Sequence, residues 1–177
     1  MDYYQGVVTD YLRADRAMFV NTECCIQLNA AANPDTSGPH WYCDAVAINM
    51  RDHHVFLCEI TYSKTLDALV TRLVAWSAHW GALRNALVRD LHVPSEWCVR
   101  PWVFIPAERQ ALLERKLARL KNDPASMPKP RVTPLEKVAP WQYRSWDRQP
   151  DQADELDSPA CANQSEKRAE LGDKEKT

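Results

Sequence analysis

The chain has 177 residues, 45% of them hydrophobic, and a formal net charge of −2. This suits one globular domain with an extension, and it provides no global positive field that would attract a polyanion. No apolar run reaches the roughly 20 residues of a membrane span, and the start of the chain lacks the basic and apolar regions of a signal peptide. We therefore expect a cytoplasmic protein without a membrane partner.

Charge is distributed unevenly along the chain. Residues 1–83 hold 5 Lys+Arg against 9 Asp+Glu, whereas residues 84–132 hold 10 against 5. A basic middle beside an acidic first part fits an acid-lined site next to a basic surface. Ordinary solvated helix faces would produce the same pattern, so both interpretations stay open.

The first predicted elements are a helix, a strand and a loop. Apolar residues recur at intervals of three and four from Tyr3 to Ala14, which predicts a helix. Met18 to Leu28 is predicted to be a strand. The segment Asn29 to His40 contains Asn, Pro, Ser and Gly in close succession, which predicts a loop.

A hairpin of two apolar strands comes next. The strands are Tyr42–Met50 and Val55–Tyr62, and the polar residues 51–54 join them. Each strand carries one acid, Asp44 in the first and Glu59 in the second. A lone acid is costly to bury, so it usually serves a charged partner or a metal. The hairpin is therefore the place where we expect chemistry.

A long helix is predicted after the hairpin. Ser63 or Thr65 is a candidate cap, and apolar residues keep a helical period as far as Leu91. Gly81 is a candidate bend. The helix would cover one face of the sheet formed by the strands.

A further strand and helix complete the predicted core. The strand runs from Trp97 to Ile105, and Pro101 within it favours an edge position or a bulge. Pro106 suits the first turn of a helix that ends near Lys121. The alternation of helices and strands predicts an α/β fold with a mixed sheet and helices on its faces.

Composition divides the chain into three parts. Residues 1–123 are predicted to form the α/β core. Residues 124–150 are rich in proline and aromatic residues, which predicts an irregular arm that packs on the core. Residues 151–177 are polar and acidic with little to bury, which predicts disorder.

The strand pairing decides whether the two acids meet. If Met50 pairs with Val55 around the turn, Asp44 lies opposite Thr61 and on the same face as Glu59. The two acids are then diagonal neighbours, roughly 7–8 Å apart at the backbone. Such oxygen ligands suit Mg²⁺ or Mn²⁺. A one-residue slip would separate them onto opposite faces.

These residues resemble the motif of the PD-(D/E)XK nuclease superfamily. Asp44 matches the Asp of that motif, and Glu59-Ile60-Thr61 falls where Glu-x-Lys is expected. The motif region spans residues 41–65, and the predicted elements over residues 3–121 follow the order of the family's core. The resemblance implies a restriction-endonuclease-like mixed central sheet flanked by helices.

The resemblance also implies a function, namely metal-dependent hydrolysis of phosphodiester bonds, with DNA as the expected substrate. Asp44, Glu59 and the carbonyl of Ile60 would bind Mg²⁺ or Mn²⁺. Thr61 replaces the family's lysine, and Lys64 is the candidate substitute for it. Further candidate contributors lie upstream in the chain: Gln5, Asp10 and Glu23.

Basic side chains of the second half are the candidate contacts to the phosphate backbone. They lie in the last part of the long helix and in the helix that follows Pro106: Arg84, Arg89, Arg109, Arg115, Lys116 and Arg119.

Other interpretations remain open. Asp44 could cap its strand while Glu59 pairs with an arginine or lysine, and the histidines and cysteines around the hairpin could bind zinc. Because Thr61 lacks the charge of a lysine, the chain could also be an inactive binding module with the nuclease fold, contacting a nucleic acid or a protein through residues 124–150. A small α/β interaction protein unrelated to nucleases would place the two acids far apart.

Overall fold

A computed structural model of the protein describes residues 3–29, 39–118 and 127–139. The elements in chain order are α1 (Tyr3–Arg13), β1 (Met18–Gln27), β2 (His40–Asn49), β3 (His54–Ile60), α2 (Asp67–Ala78), α3 (Trp80–Leu91), β4 (Cys98–Ile105), α4 (Gln110–Leu117) and β5 (Arg131–Pro134). Short 3-10 turns are formed by Ala107–Arg109, directly before α4, and by Leu135–Lys137, directly after β5.

The five strands form one mixed sheet in the order β1-β2-β3-β4-β5. The pairs β1–β2 and β2–β3 are antiparallel, whereas β3–β4 and β4–β5 are parallel. The parallel pair β3–β4 requires a crossover, which α2 and α3 supply. The predicted α/β class with a mixed sheet is therefore confirmed.

Helices cover both faces of the sheet. On one face, the Tyr11 ring of α1 makes edge contacts with the rings of Trp102 and Phe104. Val103 alternates with these two residues along β4 and joins the apolar core that includes Trp76 of α2. Because successive strand residues face opposite sides, α1 lies on one face of the sheet and α2 on the other.

The predicted long helix is in fact two helices, and the bend prediction at Gly81 is wrong. The break lies at His79, whose N–H donates to the carbonyls of both Ala75 and Trp76 at 3.2 Å and tightens the end of α2. Its φ of −122° then interrupts the helix. Gly81 lies inside α3, and a Cβ at this position would have no neighbouring atom within 4 Å among the described residues beyond its own helix backbone.

The predicted helix caps are also wrong. The residue that precedes α2 is Leu66, which adopts a left-handed backbone with φ of 59°. Its side chain is fully buried in the core, and we attribute the unusual conformation to this burial. Ser63 instead accepts a hydrogen bond from the Leu66 N–H at 3.4 Å.

The predicted edge position of Pro101 is wrong as well. β4 has β3 on one side and β5 on the other, and Pro101 pairs with Leu57 of β3. The pairing with β5 starts only at Trp102, which lies opposite Arg131. A residue without an N–H is tolerated here because Pro101 lies just outside the part of β4 that is paired on both sides.

The segment predicted to be an irregular arm contains β5, which extends the sheet beyond β4. Residues 119–126 and 140–177 lie outside the described residues, as do Arg119, the predicted helix end near Lys121 and the predicted acidic tail. No helix in the described part of the chain has the length and apolar character needed to cross a bilayer.

The hairpin register differs from the predicted one. Asn49 pairs with His54 and Ala45 with Cys58, so the turn consists of residues 50–53. Continuing this register places Asp44 opposite Glu59 rather than opposite Thr61. The cause is the Asn49 side chain, whose carbonyl accepts the N–H groups of Arg51 and Asp52 at 2.9 and 3.0 Å and closes the turn one residue earlier.

We therefore expect Asn49→Ala to lower the free energy of unfolding by about 1–2 kcal/mol, because two turn N–H groups lose their acceptor. Urea denaturation measures the change. Asp52→Ala is the matched control, since it removes only the 2.8 Å bond that Asn49 donates to Asp52, and it should cost less than about 1 kcal/mol. Equal losses for the two variants would contradict this account of the turn.

Candidate functional site

Asp44 lies in β2, where its carboxylate contacts two other segments. Oδ2 accepts the backbone N–H of Ile60 at 2.7 Å, and Oδ1 accepts the side-chain amide of Gln5 at 3.0 Å. The regular ladder between β2 and β3 ends at Ala45–Cys58. Beyond that point the Asp44 side chain provides the acceptor for an N–H of β3.

The strands β1 and β2 both depart from regular pairing at this level. Thr22 pairs with Ala45 and Cys24 with Cys43, and the regular β1–β2 ladder skips the position of Glu23 and Asp44 between them. Glu23 has a φ of 53°, which bends β1. Cys43 and Val46 both join the same apolar core, so strict alternation fails between them. This local irregularity directs Asp44 toward Gln5 and Ile60.

Glu59 is the most deeply buried acid of the site, with 3% of its surface exposed. Its Oε2 forms an ion pair with the guanidinium of Arg72. Its Oε1 is also buried and has no hydrogen-bond partner among the described residues. A buried carboxylate oxygen without a partner is unfavourable in a folded protein, so this atom marks a place that suits a ligand.

Burial raises the pKa of Glu59 to about 7. The hydrogen bond from Arg72 lowers this pKa, and the negative charge of Asp44 raises it. Conversely, the hydrogen bond to Glu59 raises the pKa of Arg72. The ion pair therefore offsets only part of the cost of burying the acid, and the two carboxylates are close enough to repel each other.

The prediction that both acids face the same way is not reproduced by their contacts. Asp44 binds Gln5 of α1, whereas Glu59 binds Arg72 of α2, and these helices cover opposite faces of the sheet. The register still makes Asp44 and Glu59 neighbours across β2 and β3. The negative charge of Asp44 raises the pKa of Glu59, so the two carboxylates lie near each other where the β2–β3 ladder ends.

Arg72 is the site residue that the sequence interpretation missed. It lies on α2, 13 residues after Glu59, and its side chain is 39% exposed. The available signal was its position, because it is the single lysine or arginine between Lys64 and Arg84. It also matches the open alternative in which Glu59 pairs with an arginine.

Thr61 and Lys64 follow β3 in the segment that leads to α2. The Thr61 N–H donates to the carbonyl of Phe104, and its hydroxyl accepts the N–H of Ser63 at 3.1 Å. Lys64 is exposed. Neither side chain forms a hydrogen bond with Asp44 or Glu59 within the described residues, and Arg72 is the cation that contacts Glu59.

The three upstream candidates differ in how they relate to the acids. Gln5 belongs to the site through its bond to Asp44. Glu23 lies opposite Asp44 in the register of β1 and β2, with an exposed side chain. Asp10 is exposed on α1, more than one helical turn beyond Gln5.

Most of the basic residues considered for phosphate binding already have partners. Arg84 donates to the carbonyl of Ser95, Arg89 pairs with Asp90, and Arg109 pairs with Glu108. The two described candidates on α4 also have contacts: Arg115 donates to the carbonyl of Ala111, and Lys116 pairs with Asp67. They are spread over α3, the turn before α4 and α4.

Metal ligands are few in the described part of the chain. It contains no group of three or more His, Cys, Asp or Glu side chains that could hold a metal ion, so the zinc alternative gains no support. Mg²⁺ needs only one or two carboxylates because it retains several waters. Asp44 and Glu59, with the unpartnered Oε1, fit that requirement.

Comparisons with known proteins leave the family open. No protein-family model matches the sequence, and the curated proteins contain no significant match.

Proposed function

We propose that the protein is a metal-dependent nuclease of the restriction-endonuclease-like type that hydrolyses phosphodiester bonds of DNA. One observation carries the proposal: Glu59 keeps a buried carboxylate oxygen without a partner next to a second acid, Asp44. The order of elements and the mixed sheet are consistent with the nuclease resemblance.

Asp44, Glu59 and the carbonyl of Ile60 would hold Mg²⁺ or Mn²⁺. Each carboxylate oxygen has two acceptor positions, so the bonds that Asp44 accepts leave room for a cation. Gln5 and the Ile60 N–H keep the Asp44 carboxylate in place. When bound, the metal ion lowers the pKa of a water and neutralises charge on the phosphate.

Arg72 provides the positive charge that Thr61 lacks. Its guanidinium has five N–H donors in a planar fork, and the bond to Glu59 uses one nitrogen. The half-exposed side chain can therefore donate to a phosphate oxygen while it remains against Glu59. Lys64, in the neighbouring segment, is the alternative cation for the same role.

Cleavage of supercoiled plasmid DNA tests the proposal. Protein freed of metal with EDTA should be inert, and added Mn²⁺ or Mg²⁺ should produce nicked and linear DNA. Glu59→Ala should remove the activity, since it deletes the unpartnered oxygen. Cleavage that survives in both Asp44→Ala and Glu59→Ala would disprove the assignment.

A second candidate function is binding without catalysis, in a complex with nucleic acid or protein. The observation that favours it is the Thr61 hydroxyl, which closes a turn with Ser63 and supplies no charge. This candidate predicts a gel shift with DNA, or capture of a protein partner, together with intact plasmid at every metal concentration.

A further inference from the structure

An aromatic cleft is lined by residues of the two chain segments that bind Asp44. It has a volume of about 250 Å³ and lies between the start of α1, the residue Tyr62 after β3, and the turn after β5. The residues that line it are mostly apolar or aromatic: Tyr3, Tyr4, Val7, Tyr62, Leu135, Glu136, Val138 and Ala139.

On the side of the cleft that α1 and Tyr62 provide, the wall consists of tyrosine rings. The rings of Tyr4 and Tyr62 are stacked, with centroids 4.8 Å apart and an interplanar angle of 6°. Tyr3 meets Tyr4 edge-on at 5.3 Å. Tyr3 is 71% and Tyr62 56% exposed, so this aromatic surface is open to solvent as well as held in a defined orientation.

The cleft is attached to the same chain segments as the acids. Tyr4 directly precedes Gln5, whose amide donates to Asp44. Tyr62 is two residues after Ile60, whose N–H donates to the other oxygen of Asp44. The Tyr4–Tyr62 stack therefore joins the two segments that hold Asp44. A ligand that stacks on these rings would lie beside the segments that position this acid.

The charges around the cleft favour an anionic chain with an aromatic group. Lys64 and Lys137 are exposed on the two segments that follow β3 and β5, and neither takes part in an ion pair within the described residues. Among the described residues that line the cleft, the acid is Glu136, which accepts the backbone N–H of Ala107 at 2.9 and 3.2 Å.

We infer that the stacked tyrosines and their cleft bind an unpaired nucleobase of single-stranded DNA, beside the segments that hold Asp44. Sequence-tolerant binding of single strands combines aromatic stacking with positive charge along the backbone. The volume is below the roughly 300–1,000 Å³ of sites for drug-sized ligands, which favours one base over a base pair. The inference rests on the proposed nuclease function, because it names the substrate of that site.

Fluorescence anisotropy with a labelled oligothymidylate tests the inference, using the full chain in EDTA so that nothing is cleaved. The single strand should bind more tightly than a duplex of equal length. Tyr62→Ala should weaken single-strand binding about tenfold, the effect of losing one stacked base. Tyr62→Phe should bind like the wild type, because it retains the ring.

Phe19→Ala is the matched control, since Phe19 is a 63% exposed aromatic residue on β1 and does not line the cleft. Unchanged binding by Tyr62→Ala, an equal loss in Phe19→Ala, equal affinity for duplex, or no binding of the oligonucleotide would each overturn the inference. If the oligonucleotide does not bind, the result would favour a protein partner that places an apolar side chain in the cleft.

The binding experiment tests the inference and the cleavage experiment tests the proposed nuclease, so either claim can be disproved without the other. A protein that never cleaves DNA but binds single strands through Tyr62 would disprove the proposed nuclease and support the inference. A protein that cleaves DNA with the same KM in wild type and Tyr62→Ala would support the nuclease and disprove the inference.

Discussion

Asp44→Asn is expected to lower metal-dependent cleavage by at least about 100-fold, the upper range for substitutions around a metal. The physical reason is the lost negative charge, because a neutral amide is a poorer ligand for a hard cation. The fold should remain, since the asparagine oxygen can still accept the Ile60 N–H and the Gln5 amide can rotate to present its own oxygen. Plasmid cleavage and thermal unfolding measure the two effects.

Two further variants separate chemistry from folding in this experiment. Asp44→Ala should lose activity and also about 1–3 kcal/mol of stability, because the Ile60 N–H loses its acceptor. Asp90→Asn removes an acid that pairs with Arg89 on α3 and should cleave like the wild type. Wild-type activity in Asp44→Asn would show that Asp44 only closes the strand.

The metal-free protein is expected to become less stable as the pH rises from about 5 to about 8. Glu59 has an ordinary pKa of 4.5, and burial raises it to about 7 in the folded state. Between these values the folded state binds more protons than the unfolded state, so stability decreases with rising pH. The difference between the two pKa values corresponds to about 3 kcal/mol, present below the lower value and lost above the higher one.

Substitutions at Glu59 and Arg72 should change this pH dependence in different ways: one should remove the decrease in stability, and the other should move it to higher pH. Glu59→Gln removes the titrating group and should flatten the decrease in the free energy of unfolding, measured with urea in EDTA at several pH values. Arg72→Met removes the hydrogen bond that lowers the pKa of Glu59 and should shift the decrease to higher pH. A Glu59→Gln profile parallel to that of the wild type would contradict this account.

Local patterns were sufficient where one periodic signal dominated. The apolar repeat of α1 predicted Tyr3–Ala14 and the structure has Tyr3–Arg13. The β-rich runs around Asp44 and Glu59 likewise form adjacent strands. By contrast, the repeat through Leu91 predicted one helix, because periodicity continues across His79 although the backbone does not.

The candidate site depended more on contacts than on pattern. Asp44 and Glu59 were found from the sequence because a single acid in an apolar strand is conspicuous. The arrangement of the two acids could not be found in this way, because it follows from the Asn49 turn and from the irregular pairing at Glu23. Side-chain to backbone hydrogen bonds of this kind leave no periodic trace in the sequence.

The sequence by itself determined the α/β class, the hairpin and the identity of its two acids, because burial and periodicity act on neighbouring residues. Only the tertiary structure decided that Arg72 pairs with Glu59, that Gln5 supports Asp44, and that Tyr4 stacks on Tyr62. These contacts join residues that are 13 to 58 positions apart. They arise when helices pack on a twisted sheet, which local propensity does not encode.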